Sequence, residues 1–169
     1  RYWKVVRDAL VTLATTLPDS LHMFGTKADT DPVRHLIGSA NAWGGNPQKE
    51  ALYLTVTPPK NDGTTVHRLT VDEVPVDGFW SVTVYDARTR SQIQTAQAKA
   101  LLSSLFDFPD ATGDDSVDLF FGPTAPASHQ DQWIQTNPGA GWFVYFRIYG
   151  REQAAFDKTW KPGDFEPQA

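Results

Sequence analysis

Val76-Asp77-Gly78-Phe79-Trp80-Ser81-Val82-Thr83-Val84-Tyr85-Asp86 reads as one buried strand. Asp77-Gly78 signals a turn before it, and the residues from Phe79 onward alternate between two faces. Trp80, Val82 and Val84 share one face, suited to the core between two sheets. Phe79, Ser81, Thr83 and Tyr85 share the other, aromatic at its ends and hydroxylic in the middle. Such a face suits a pocket wall or a covered interface.

A second strand of the same kind lies at Trp142-Phe143-Val144-Tyr145-Phe146-Arg147-Ile148-Tyr149. Trp142, Val144, Phe146 and Ile148 form one side, and Phe143, Tyr145, Arg147 and Tyr149 the other. Both sides are bulky, so both are expected to be covered. Further strands are expected at Leu52 to Thr57, Thr64 to Val71 and Ser116 to Phe121, from alternation and β-branching. The first two are expected to form a hairpin across Pro58 to Gly63. Ser91 to Gln94 reads as a short strand. Thr95 to Asp110 reads as a loop with a helical turn or two, on its Ala and Leu content. Thr124 to Gly141 is a long connection, a length that is uncommon without a role.

Two helices precede the strands. Val5, Val6, Ala9, Leu10, Leu13 and Leu17 recur at helical spacing, which predicts a helix from Tyr2 to the stop at Pro18, packing on a sheet. Asp31-Pro32 supplies an N-cap and a first-turn proline for a second helix, which Gly44-Gly45 closes. A short helix is expected from Glu152 to Asp157, followed by an extended tail. The sum is a mainly β chain: an antiparallel, jelly-roll-like β-sandwich with N-terminal helices and a short C-terminal helix. Residues 1–30 form a helical segment or connector, and residues 31–169 the sandwich.

Composition sets limits on function. The chain of 169 residues fits one domain with a sizeable core. Its net charge of -5, with scattered Lys and Arg, argues against a nucleic-acid partner. It has no Cys, which excludes disulfides, thiolate nucleophiles and Cys-based zinc sites. No apolar run has the length of a membrane span. The chain opens at Arg1 rather than Met, consistent with removal of a leader or of an upstream domain.

Several residue groups carry side chains capable of chemistry. Ser39 lacks the glycine spacing of a nucleophile elbow. His129 and Asp131, with His67 in reach, could bind a divalent ion, but this spacing is common by chance. Asp110, Asp114, Asp115 and Asp118 could serve as acid and base, and turn capping explains them more simply. Arg147 is the most informative residue, because a guanidinium on an aromatic strand face needs partners. One reading is structural: a buried pair with Asp86 or Asp77 that locks two strands. The other is an anion or sugar pocket, with Trp80 or Trp142 stacking and Tyr85 donating a hydrogen bond. The candidate ligand-binding residues are Trp80, Tyr85, Tyr145, Arg147 and Tyr149. No metal or cofactor is expected.

Trp43-Gly44-Gly45-Asn46-Pro47, the stretch from Val76 to Asp86, Arg147-Ile148-Tyr149 and Thr159-Trp160-Lys161-Pro162 occur in an order that resembles the bacterial domain of unknown function 1214. The resemblance runs from about Asp31 to the C-terminus, with Arg151 standing where the pattern has proline. It implies a jelly-roll sandwich, a partner domain of the 1254 type upstream, and a periplasmic or envelope location. It implies no settled activity. The expected function is therefore a binding or interaction module, for a small polar ligand, a partner domain or itself. The alternative is a hydrolase acting on a small polar or glycosidic substrate through loop His and carboxylates.

Overall fold

The computed structural model describes residues 2–42, 45–109, 115–151, 157 and 159–168. Two compact units divide the chain, Arg1–Ala51 and Leu52–Ala169. The first holds α1 (Tyr2–Ala14) and α2 (Pro32–Asn41), which pack on each other. Asp31 caps α2 as expected, its carboxylate accepting from the amides of Val33 and Arg34. The helix ends at Asn41 and closes on Ala42 in extended conformation, so the expected left-handed glycine cap is not what stops it; Gly45 is not in the left-handed region, and Trp43 and Gly44 lie outside the described residues. No residue of α1 is buried.

Among the described residues, eight strands make the rest a mainly β fold: β1 (Ala51–Val56), β2 (His67–Val71), β3 (Val76–Asp86), β4 (Leu101–Ser103), β5 (Val117–Gly122), β6 (Trp133–Gln135), β7 (Trp142–Arg151) and β8 (Glu166–Pro167). One sheet has the order β1-β7-β3-β4, the other β6-β5-β2-β8. Leu69, Val71, Leu119, Phe121 and Ile134 from the second sheet share one core with Trp80, Val82, Val84, Trp142, Val144, Phe146 and Ile148 from the first. The two sheets therefore form a sandwich around the apolar faces that alternation assigned.

Five local expectations change. β1 and β2 are not a hairpin, because each lies in a different sheet. The loop between them crosses the edge of the sandwich, which two runs of equal strand character cannot reveal. The Ala- and Leu-rich segment contains β4, paired with β3 through Val82 and Leu102. Helix propensity yields there to burial, since Leu102 has no exposed surface. Ser91 to Gln94 gives only a single bridge between Tyr85 and Gln92. Asp77-Gly78 is not a turn but a bulge inside β3, where the register with β7 shifts between Val76 and Phe79. The long connection holds β6, which runs parallel to β5. The expected helix from Glu152 falls largely outside the described residues.

Gln97 shields the free edge of β6. Its carboxamide donates to the Trp133 carbonyl at 2.8 Å and accepts from the Gln135 amide at 2.7 Å, in the manner of a neighbouring strand. Gly63 sets the crossing loop with a φ of +66°, and a Cβ there would lie 2.0 Å from the Asn137 carbonyl oxygen. Both the left-handed backbone and the collision oppose any side chain. Gly63→Ala is expected to lower both the midpoint of chemical denaturation and the unfolding free energy, the latter by more than about 1 kcal/mol, the opposite sign to Gly→Ala at an unstrained site. An unchanged midpoint would show that this loop does not constrain the sandwich.

Candidate functional site

The middle of the outward face of the first sheet is buried, while Phe79 and Tyr149 at its end are half-buried. Ser81, Thr83, Tyr85, Phe143, Tyr145 and Arg147 are all buried, Arg147 with only 8% of its surface exposed. Antiparallel register places Ser81 opposite Arg147, Thr83 opposite Tyr145, and Tyr85 opposite Phe143. The Arg147 side chain runs along the sheet rather than out of it. Its Nη1 donates to the Thr83 hydroxyl at 2.9 Å and its Nη2 to the Tyr85 hydroxyl at 2.7 Å.

Three phenol rings surround the guanidinium carbon, with centroids at 5.3 Å for Tyr145, 5.7 Å for Tyr85 and 5.9 Å for Tyr53. A cation over aromatic faces gains more as water is excluded. Among the described residues, Arg147 meets no carboxylate. The pairing considered for Asp86 does not form. Its Oδ1 instead accepts from the amides of Arg88 and Thr89, which holds its pKa below the ordinary carboxylate value against the opposing effect of burial. Asp77 is exposed on the bulge.

That same turn delivers a second cation. Arg90, at a φ of 62°, sets its guanidinium 4.7 Å from the Phe143 centroid and donates to the Tyr145 hydroxyl at 3.3 Å. Burial pushes the Tyr145 phenol above its ordinary pKa, so it remains a neutral donor and acceptor.

Of the candidate residues, the fold brings Tyr85, Tyr145 and Arg147 together. Tyr149 lies on the same face but stacks on Phe79 at 4.5 Å. Trp80 points into the core, stacked on Phe146 at 5.6 Å and Phe108 at 5.9 Å, and belongs to the opposite face. Trp142 likewise stacks on Phe121 inside the sandwich, at 5.3 Å. Thr83, Tyr53, Phe143 and Arg90 complete the centre. Alternation already put Thr83 and Phe143 on this face, whereas Tyr53 and Arg90 arrive by strand order and by the turn.

The histidines do not assemble a catalytic group. His67 has no exposed surface and lies edge-on to Trp142 and Phe165. His129 stacks on Phe120 at 4.5 Å, with Nδ1 2.7 Å from the Gln132 side-chain oxygen. Among the described residues, no cluster of three or more His, Asp or Glu could hold a metal ion. Asp118 accepts from the Thr70 hydroxyl at 2.6 Å and faces Arg68 at 3.5 Å, a structural role.

Residues 50–153, more than half of the chain, match the family described as a protein of unknown function, DUF1214. The chain belongs to this family. Its fold resembles the crystal structure of the VPA0106 protein from Vibrio parahaemolyticus, with a TM-score of 0.69 and 17% identity. That match covers 98% of this chain and 43% of the Vibrio protein, so the chain spans less than half of that relative's length. A weaker likeness, with a TM-score of 0.46 and 17% identity, links 75% of the chain to 31% of an uncharacterised Burkholderia cenocepacia protein. No curated protein matches. No helix among the described residues is long and apolar enough to cross a membrane.

His67 ties the DUF1214 sandwich to pH. Desolvation holds its pKa below the ordinary 6.5, despite the opposing hydrogen bond between Nδ1 and the Thr65 carbonyl. The unfolded chain therefore takes up this proton at a higher pH than the folded one. The contribution to stability is complete above about pH 6.5 and is lost progressively as pH falls below it. Denaturation midpoints measured between neutral pH and pH 5 should decline for the parent, with a smaller slope for His67→Gln. Equal slopes would remove His67 as the source.

Proposed function

We propose that this protein is a ligand-binding module whose site is the Arg147 centre and whose ligands are small organic carboxylates. The observation that carries this reading is the buried Arg147 guanidinium, whose described hydrogen bonds go only to the hydroxyls of Thr83 and Tyr85. A guanidinium has five N–H donors in a planar fork that matches a carboxylate. Arg90 adds a second positive charge beside Tyr145. The centre is thus rich in donors and in positive charge, and an anion with paired oxygens complements both. Tyr53, Tyr85 and Tyr145 supply aromatic surface for the carbon skeleton of such a ligand.

A second reading rests on a different observation. Tyr2, Trp3, Val5, Val6 and Leu13 of α1 are between 46% and 89% exposed, an apolar density that single scattered residues do not reach. It supports association with a partner domain or with another copy of the chain. The two readings are compatible, because they use separate residues.

Thermal unfolding in the presence of succinate, inorganic phosphate and glucose tests the first reading. Succinate is expected to raise the midpoint by mass action, and glucose is not. Arg147→Ala, shown to be folded by near-ultraviolet circular dichroism, should weaken succinate binding by about tenfold or more, the loss of one charged hydrogen-bonded contact. Should Arg147→Ala fail to fold, Tyr85→Phe supplies the milder test, with a smaller loss of affinity. No response to any carboxylate, or an equal response in the folded variant, would leave Arg147 as a structural cation.

A further inference from the structure

The helical unit contains a cavity of about 540 Å³ between the loop that follows α1 and the segment that follows α2. Its volume lies within the roughly 300–1,000 Å³ of small-molecule sites. One wall is a stiff loop. Arg34 of α2 anchors it by donating to the Leu21 carbonyl at 2.6 Å, and the His35 ring meets the Met23 carbonyl at 2.8 Å. Within the loop, Thr26 donates to the Asp29 carboxylate at 2.6 Å, and Nδ1 of His22 contacts the Asp29 carbonyl at 2.7 Å. The opposite wall is the run Pro47-Gln48-Lys49-Glu50.

Three features of the lining point to a ligand. Oε1 of Gln48 is buried and accepts no hydrogen bond, an expensive state for an amide oxygen. Asp29 and Lys49 both line the cavity, yet no ion pair closes between them. Leu21, Phe24 and Pro47 give the same cavity an apolar side. The Asp29 carboxyl is held below its ordinary pKa, first by the Thr26 hydroxyl and more weakly by the charges of Lys49 and His22. It therefore presents an anion at neutral pH.

From these features we infer that the cavity binds a zwitterionic amino acid with an apolar side chain, its ammonium facing Asp29 and Gln48 and its carboxylate facing Lys49. The ammonium meets the Asp29 carboxylate, and a turn of the Gln48 side chain toward the cavity would bring its unpartnered oxygen to the same donor. The carboxylate meets Lys49, an exposed cation whose charge reaches Asp29 but which closes no ion pair with it. The side chain takes the apolar wall of Leu21, Phe24 and Pro47. The volume also leaves room for a second residue, so a dipeptide fits the same polarity pattern. This site shares no residue with the Arg147 centre.

Titration of the nitrogen-15-labelled full chain with L-phenylalanine, followed by amide resonances, tests the assignment. Saturable shifts are expected at residues 21–29 and 45–50, and they should persist in Arg147→Ala. N-acetyl-L-phenylalanine, which lacks the ammonium, is expected to bind about tenfold more weakly or worse, and Gln48→Met should weaken phenylalanine comparably. Equal binding of the acetylated compound overturns the inference. So does the absence of saturable shifts up to the solubility limit. Shifts confined to strands β3 and β7, and lost in Arg147→Ala, would also overturn it, because they place the amino acid on the other centre. The acetylated ligand needs no variant, so the test stands even if Gln48→Met does not fold.

Discussion

The pairing of β3 with β7 is the interaction on which the rest of the sandwich depends. Nine residue pairs run from Val76 with Arg151 to Asp86 with Trp142, interrupted by one bulge. Because side chains alternate, this one ladder builds two different surfaces. Trp80, Val82, Val84, Val144, Phe146 and Ile148 face the second sheet and form the core. Thr83, Tyr85, Phe143, Tyr145 and Arg147 face the other way and form the candidate site. A register slip by one residue would exchange the two sets and put Arg147 in the apolar core, at the cost of an uncompensated buried charge. The sequence of the outward face is thus constrained as strongly as that of the core.

Arg147 shows how a sheet can bury a cation without a carboxylate among the described residues. The hydroxyls of Thr83 and Tyr85 satisfy two of its donors, and three phenol rings turn their faces toward it. Individually these contacts are modest, a hydrogen bond to a charged group contributing roughly 1.5–3 kcal/mol and a cation–π contact roughly 0.5–2 kcal/mol. Together they offset a desolvation penalty of several kcal/mol, and among the described residues no carboxylate forms an ion pair with the guanidinium. A centre that stabilises a cation while keeping its charge is well suited to receive an anion.

The two units divide the polar chemistry between them. The sandwich concentrates positive charge and hydroxyls on one sheet face, whereas the helical unit lines a cavity with both signs of charge and a buried amide oxygen. Membership of the DUF1214 family covers residues 50–153 and so takes in the first centre but barely reaches the second. Likeness to the Vibrio parahaemolyticus protein extends over nearly the whole chain and speaks for the fold of both.

The sequence by itself determined the strands with strong alternation, their two faces, the N-cap of α2 and the mainly β class. These are local properties, set by residue spacing and by the reach of a side chain within its own segment. It also singled out Arg147, Tyr85 and Tyr145, since a charged residue in an aromatic stripe is visible without coordinates. Only the tertiary structure decided which strand lies beside which. For that reason the β1–β2 hairpin, the helical reading of the segment holding β4, and the Arg147 pair with Asp86 did not survive. Each depended on long-range partners: sheet crossing, burial of Leu102, and a turn that takes the Asp86 carboxylate for its own amides. Trp80 is a different case: alternation alone already set it on the core face with Val82 and Val84, and the structure keeps it there, so its place among the ligand-binding candidates conflicted with its own face. Tyr53 and Arg90 joined the centre through long-range placement, since their proximity to Arg147 or Tyr145 comes from strand order and chain reversal rather than from spacing along the chain.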